Sequence, residues 1–237
     1  MTGSTVISVL TTPRRLHYLA GTLRALDDAG GVLFGGRKTV FVDGPSSAIA
    51  SAGVPAGWGI ESLTGEGPSK GSRPALWTIL HRAAVAGVPY LLHFEDDVRC
   101  TKNAVKAMVL FSVPRLIADA GFLSFFQGNP GLDLSPGVQL FNGRAFWGTQ
   151  ALKFAAPALE RFRDPKTNPA NDYRYSADTW LGGQLRPALV IPSIVRHIGA
   201  ETTIPAQKGE TLEGHRAGLL YAGDDFDALT LLTRNDA

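Results

Sequence analysis

The sequence lacks the features that mark disulfide-bonded, membrane-spanning or nucleic-acid-coating proteins. Its 237 residues include one cysteine, Cys100, which excludes an internal disulfide and a metal site built from several cysteines. A net charge of +2, with no run of Lys or Arg, argues against a polybasic arm. No basic segment followed by an apolar stretch opens the chain, and no apolar run is long enough to cross a membrane. We therefore expect a cytoplasmic protein with no transmembrane segment.

What the sequence does contain is enough apolar material for one large domain. Hydrophobic residues make up 44% of the chain and charged residues 19%, which fits a single globular unit of this length. No internal repeat divides the chain. We expect one domain over residues 1–237, in which the polar, Gly-rich residues 200–237 form a C-terminal lid or tail.

The order of apolar patterns predicts an α/β fold. Short β-branched runs alternate with helical patterns through the first half of the chain, which indicates β-α units around a mainly parallel sheet. We predict strands at residues 6–10, 39–42, 59–63, 90–94, 122–126 and 188–191, and helices at residues 16–29, 73–86, 103–118, 154–162 and 177–185. Residues 127–148 are dense in Gly, Pro and Asn and are interpreted as strands and functional loops.

Three consecutive acids, Glu95, Asp96 and Asp97, follow the predicted central strand at residues 90–94. Their mutual repulsion is unfavourable unless a cation offsets it, and carboxylate oxygens suit Mg²⁺ or Mn²⁺. Ligands of open α/β sheets bind beyond the carboxyl ends of the strands, where these acids fall. The alternative is a solvated turn whose acids stabilise the start of the next helix.

This arrangement resembles the GT-A glycosyltransferases, whose aspartate-any-aspartate motif lies at the same strand end and holds the metal bound to a nucleotide-sugar diphosphate. Here Glu95 stands in the first position of the motif. The resemblance implies a Rossmann-like, mainly parallel sheet flanked by helices on both faces. It also implies that Asp97 is a direct metal ligand, and that Glu95 or Asp96 contacts ribose or metal-bound water.

His197 resembles the C-terminal histidine of the GT-A core, which implies a second metal ligand. Neutral imidazole beside carboxylates shifts the metal preference toward Mn²⁺ over Mg²⁺. Taken alone, a histidine beside a strand is more often a structural residue. His215 is a weaker rival for the same role.

Asp178, in the segment Ser176-Ala177-Asp178, resembles the catalytic base of inverting GT-A enzymes. An acid in the first turn of a helix is held ionised by the helix dipole and can accept a proton. Acids also occupy helix first turns purely as stabilisers. Asp172 and Asp133 are the other candidates for the base.

The remaining candidates for donor and acceptor binding lie in loops. Trp147 and Gly148 resemble the glycine-containing loop that faces the donor sugar, although Trp147 could equally be core, and Trp180 is expected to pack. The resemblance implies by position that Thr11, Thr12, Arg14 and Asp43 line the nucleotide pocket. Arg73 is a candidate partner for the diphosphate, because a guanidinium fork suits phosphate oxygens. Lys208 and Arg216 could close over it as a lid.

Together these features favour a metal-dependent, inverting glycosyltransferase that uses a nucleoside-diphosphate sugar, with a UDP-sugar as the default donor. The acceptor stays open among a glycan, a small molecule and a hydroxylated base in modified DNA. One alternative is a non-catalytic nucleotide-sugar-binding module. A sugar-nucleotide nucleotidyltransferase is disfavoured, because residues 11–15 provide no Gly-rich phosphate loop.

Overall fold

The computed structural model describes residues 5–13, 16–31, 35–111, 121–128, 135–141, 146–169, 176–199 and 220–234. The strands are β1 Val6–Thr11, β2 Arg37–Val42, β3 Gly59–Ser62, β4 Tyr90–Glu95, β5 Val98–Cys100, β6 Phe122–Ser124, β7 Gly137–Leu140, β8 Ala151–Ala155, β9 Pro187–Ile191 and β10 Val195–His197. The helices are α1 Leu16–Asp28, α2 Ser72–Val85, α3 Ala104–Leu110, α4 Ala156–Glu160, α5 Ala177–Gln184 and α6 Thr230–Arg234. None of the described helices is long and apolar enough to cross a membrane.

Eight strands form one central sheet in the order β3-β2-β1-β4-β8-β6-β9-β7. Strands β1 to β4 run parallel to one another, and β6 and β9 run in the same direction, whereas β8 and β7 are antiparallel to their neighbours. Strands β5 and β10 form a separate antiparallel ribbon. Because β1, β2 and β4 are parallel, their carboxyl ends meet at one edge of the sheet.

Helices cover both faces of this sheet. On one face, α1 and α3 pack through Leu19, Leu23 and Met108 against the side chains of β1, β2 and β4. On the other face, α2, α4 and α5 pack against a second apolar cluster that includes Phe154 and Phe162. Each of the two clusters has fully buried large side chains, so the central strands are shielded from water on both sides.

The first half of the chain confirms the predicted order of strands and helices. The second half corrects it at residues 151–155, which were partly assigned to a helix at residues 154–162 and instead form β8. This strand pairs with β4 on one side and β6 on the other. Its residues are buried on both faces, Lys153 included, so the segment carries no alternation of apolar and polar residues that would distinguish a strand from a helix. The ribbon of β5 and β10 was not predicted.

Candidate metal and donor site

The acidic residues lie at the carboxyl end of β4, where the sequence placed them. Glu95 is the last residue of β4, and Asp97 lies in the turn between β4 and β5. Ligand atoms of Glu95, Asp97 and His197 all lie within 4.8 Å of one another. Two carboxylates and one imidazole in this arrangement could hold a divalent cation.

The ribbon brings His197 to the acids although one hundred residues separate it from Asp97 in sequence. In the β5·β10 register His197 pairs with Val98, the residue after Asp97. Its Nε2 lies 2.7 Å from Oδ2 of Asp97. The backbone N–H of Ile198 donates to the carbonyl of Asp97 at 2.8 Å. The carboxylate and the imidazole are therefore held together by main-chain pairing as well as by their own contact.

The backbone of Gly199 packs closely against the side chains of Asp97 and His197. A β-carbon built on Gly199 would lie 2.9 Å from Nε2 of His197 and 3.0 Å from Cγ of Asp97, and closer still to Oδ2 of Asp97. Only glycine at this position allows the carboxylate of Asp97 and the imidazole of His197 to lie where they do. The donor chemistry and this cradle both fit a divalent metal ion, as the resemblance implied.

Asp96 points away from the other two acids. Its side chain is 1% exposed and accepts a hydrogen bond from Oγ1 of Thr11. Its carbonyl accepts a second one from Oγ1 of Thr22 on α1, at 2.6 Å. Asp96 and Thr11 therefore fasten the acidic turn to β1 and α1, and Thr12 follows half-buried in the next position.

Glu95 is contacted by the loop at residues 146–150. Oγ1 of Thr149 donates to one carboxylate oxygen of Glu95, and Nε2 of Gln150 lies 3.5 Å from the other. Gly148 has φ of 144°, and a β-carbon there would lie 3.3 Å from both the ring and the carbonyl of Phe126. Glycine therefore permits this loop to pack closely. Trp147 beside it is 40% exposed.

Asp178 lies in the first turn of α5, where its side chain is half-buried. It accepts hydrogen bonds from Oγ of Ser176 and from the backbone N–H of Thr179, the latter at 2.9 Å. Burial raises the pKa of Asp178, the two hydrogen bonds oppose the rise, and the negative charge of Glu95 adds to it. Because that charge acts on Asp178, the carboxyl groups on β4 and α5 belong to one electrostatic environment.

Asp43 follows β2 and holds the loop that leads into α2. Its carboxylate accepts hydrogen bonds from Oγ of Ser69 at 2.6 Å and from the backbone N–H groups of Lys70 and Gly71 at 2.8 and 2.9 Å. The side chain is 1% exposed. The loop leads to Arg73, which is 7% exposed and lies in the first turn of α2.

No protein-family model and no curated protein matches this sequence. Among solved structures, the chain is similar to the galactosyltransferase LgtC in complex with donor and acceptor sugar analogs, with a TM-score of 0.51, 10% identity, and 87% of this chain and 90% of that chain covered. The chain has a GT-A fold. It is also similar to S. aureus TarS 1-349 in complex with UDP, with a TM-score of 0.54 and 12% identity over 81% of this chain. It spans 59% of that TarS chain.

Because the sequence identities are low, the similarity to these structures shows the GT-A fold alone. A reaction has to be inferred from the residues of the site. From the predicted set, the described structure brings together Glu95, Asp97 and His197, and the charge of Glu95 acts on Asp178. Sequence reasoning missed Thr149, Gln150 and Gly199. For Gly199, the available signal in the sequence was a glycine only two residues after the candidate ligand His197. Arg14, Asp133, Asp172, Lys208, His215 and Arg216 lie outside the described residues.

A cavity of about 280 Å³ lies along α5. Its lining includes Arg186 and Pro187, near the amino-terminal end of β9. It continues along α5 to Thr179, the residue directly after Asp178. The cavity therefore extends from the amino-terminal end of β9 toward the start of α5.

Proposed function

We propose that this protein is a metal-dependent glycosyltransferase that moves a sugar from a nucleoside-diphosphate sugar to an acceptor hydroxyl. The observation that carries the proposal is the cluster of Glu95, Asp97 and His197, beyond the carboxyl end of a central parallel strand of a GT-A fold. Ligands of open α/β sheets bind at this edge. A UDP-sugar is the proposed donor, in keeping with the UDP complex of TarS and the donor analog complex of LgtC.

In this proposal Asp97 and His197 hold a divalent cation and Glu95 completes the protein side of the site. A bound Mn²⁺ or Mg²⁺ would offset the negative charge that develops on the departing nucleoside diphosphate. The imidazole of His197 favours Mn²⁺ between the two. Thr149 and Gln150 orient Glu95 from the neighbouring loop, and Asp96 anchors the turn that carries all three acids.

Asp178 is the proposed base. It accepts the proton of the acceptor hydroxyl while the acceptor oxygen forms a bond to the anomeric carbon and the bond to the diphosphate oxygen breaks. Attack opposite the leaving group inverts the anomeric configuration. The raised pKa of Asp178 supports this role, because a base with a raised pKa has a greater affinity for the proton.

The nucleotide is proposed to lie across the ends of β1 and β2. Thr11, Thr12 and Arg14 line this region in the proposal, and Asp43 supports it through the loop at residues 69–71. Arg73 is the proposed cationic partner of the diphosphate, since its position in the first turn of α2 adds to the positive end of the helix dipole. Trp147 offers an exposed ring face for the sugar or acceptor.

The test is a screen of nucleotide sugars for slow hydrolysis in the presence of Mn²⁺, which identifies the donor without an acceptor. We expect release of UDP by the wild type, inhibition by chelator, and a loss of about 100-fold or more in Asp97→Asn. Asp28→Asn is the matched control, because Asp28 is an exposed acid at the end of α1. Metal-dependent nucleotide binding without turnover on any donor would instead establish a binding module.

Inversion is tested once an acceptor is known. NMR of the product gives the anomeric configuration of the transferred sugar directly. Inversion is the expected result. A product that keeps the configuration of the donor after a single displacement step would show that Asp178 does not act as the proposed base.

A further inference from the structure

We propose that Gly199 is a positioning residue of the metal site, whose missing side chain allows Asp97 and His197 to bind one cation together. This inference rests on the proposed metal site and adds a residue to it that touches the donors without being one. It makes a prediction about cation affinity that does not depend on the identity of the donor sugar or of the acceptor.

The inference begins with the space around the Gly199 backbone. A β-carbon there would meet Oδ2 and Cγ of Asp97 and Nε2 of His197, with the contact to Oδ2 well inside the 3.0 Å that real β-carbons essentially never cross. Two of these three atoms, Oδ2 of Asp97 and Nε2 of His197, lie 2.7 Å from each other. The smallest possible side chain would therefore compete with the donor atoms themselves.

Neither donor group can move aside freely. Asp97 is fully buried, and its carbonyl accepts the N–H of Ile198, the residue directly before Gly199. His197 is the last residue of β10, whose register against β5 is fixed by three residue pairs. Relief of the contact therefore requires a side-chain rotation within packed surroundings or a shift of the ribbon.

The requirement for glycine is steric and not conformational. Gly148 has a φ in the left-handed region, which favours glycine whatever the surrounding space, but Gly199 does not. Alanine could therefore adopt the backbone conformation at position 199 without strain. The predicted defect comes only from the contact with Asp97 and His197, which makes it specific to the donor pair.

The expected consequence is a loss of cation affinity. Metal–ligand distances in proteins vary by only about 0.2 Å around their ideal values, so a displaced carboxylate or imidazole no longer completes the coordination shell. Changes in residues that orient metal ligands typically lower affinity by about 10- to 100-fold. We expect a loss in this range for Gly199→Ala.

The test is titration of Mn²⁺ into the nucleotide-free protein, followed by electron paramagnetic resonance of the free ion. Gly183→Ala is the matched control, because Gly183 lies on α5 with no atom within 4 Å of its would-be β-carbon and an ordinary φ. Weaker binding by Gly199→Ala, with wild-type affinity in Gly183→Ala, supports the proposal. Equal binding by all three proteins overturns it. Failure of the wild type to bind Mn²⁺ would overturn the metal site itself and this proposal with it.

A second measurement covers the case in which Gly199→Ala does not fold. Asp97→Ala removes the carboxylate and with it the most severe contact. If the glycine acts through Asp97, the double variant Asp97→Ala/Gly199→Ala should fold and should unfold at nearly the same urea concentration as Asp97→Ala alone. A double variant that fails to fold, or that is much less stable than Asp97→Ala, would show that the glycine does not act through Asp97.

Discussion

The two halves of the sheet contribute to the site in different ways. In residues 5–111 the acids follow a regular parallel strand, and Asp96 is held there by Thr11 and Thr22 of the same half. Residues 121–199 supply Thr149, Asp178 and His197 from antiparallel strands, a loop and a helix start. Their contacts reach across to Glu95 and Asp97. In the proposed site, the first half supplies the acids that would bind a cation, and the second half supplies His197 and the proposed base Asp178.

The largest expected effect separates the two contributions by removing the proposed base in the second half. Asp178→Asn should lower Mn²⁺-dependent UDP release by about 10²- to 10⁴-fold, the usual contribution of a general base, and leave Mn²⁺ binding unchanged. Glu160→Gln, an exposed acid of the same half, serves as the control. Burial and then the charge of Glu95 raise the pKa of Asp178, so the acidic limb of the rate profile should lie at higher pH than for an ordinary aspartate. Full activity in Asp178→Asn would remove the proposed base.

The next prediction concerns the polar contact that joins the halves far from the site. Nζ of Lys153 on β8 donates to the carbonyls of Met108, Val109 and Phe111 at the end of α3, at 2.8, 3.0 and 2.7 Å. Burial lowers the pKa of Lys153 to about 8, so at neutral pH the ammonium keeps three N–H groups for three carbonyls. Carbonyls at the end of a helix have no N–H donor within the helix, so they need a hydrogen bond from elsewhere.

Lys153→Met should therefore lower the free energy of unfolding by about 3 kcal/mol, because the buried carbonyls lose their donor. Urea denaturation at pH 7 measures the loss. The matched control is Lys106→Met, an exposed lysine of α3, for which we expect a change within about 0.5 kcal/mol. Similar unfolding midpoints for the two variants would show that water replaces the lysine at no cost to stability.

The same difference between the halves explains how much could be predicted from the sequence. The acids and the first four parallel strands were predictable, because each strand has its own apolar run and turn signal. Strand β8 was not, because Ala151–Ala155 is a strand through its pairing with β4 and β6. His197 was found through a family resemblance, whereas its pairing opposite Val98 depends on a register that no local pattern encodes. Thr149 and Gly199 act only through partners distant in sequence.

A third prediction concerns a buried histidine in the middle of the sheet, whose contacts lie within the first half of the chain. His93 on β4 is 1% exposed, and its Nδ1 lies 3.0 Å from Oγ of Ser8 on β1. Burial lowers the pKa of His93 to about 4, against an opposing effect of Glu95. Between pH 6.5 and 4 the unfolded chain takes up a proton that the folded chain does not. Stability therefore falls as the pH drops through this window.

The shift corresponds to about 3 kcal/mol between neutral pH and pH 4. His93→Asn should lose this part of the pH dependence, so that its urea-unfolding free energy falls less steeply than that of the wild type on acidification. His17→Asn, at an exposed position on α1, should follow the wild-type profile. Parallel profiles for all three proteins would mean that His93 is protonated in the folded state as readily as in the unfolded chain.

The smallest predicted effect on stability concerns Asp43, which follows β2 in the first half of the chain. The N–H of Lys70 donates to one carboxylate oxygen of Asp43 and the N–H of Gly71 to the other. Asp43→Asn keeps one acceptor oxygen and turns its NH₂ group toward one of these two N–H groups, so we expect a loss of about 1 to 2 kcal/mol in unfolding free energy. Glu66→Gln is the control, because Glu66 accepts from Ser46 and Ser47 at the exposed surface of the same loop.

If Asp43 acts through the loop, loosening the loop also displaces Arg73, and KM for the donor should rise modestly while kcat changes little. Addition of donor should then restore part of the lost stability, because binding favours the ordered loop. Direct contact between Asp43 and the nucleotide predicts a different pair of results, a larger rise in KM with little loss of stability. The two measurements on one variant therefore separate a residue that binds the nucleotide from one that shapes its pocket.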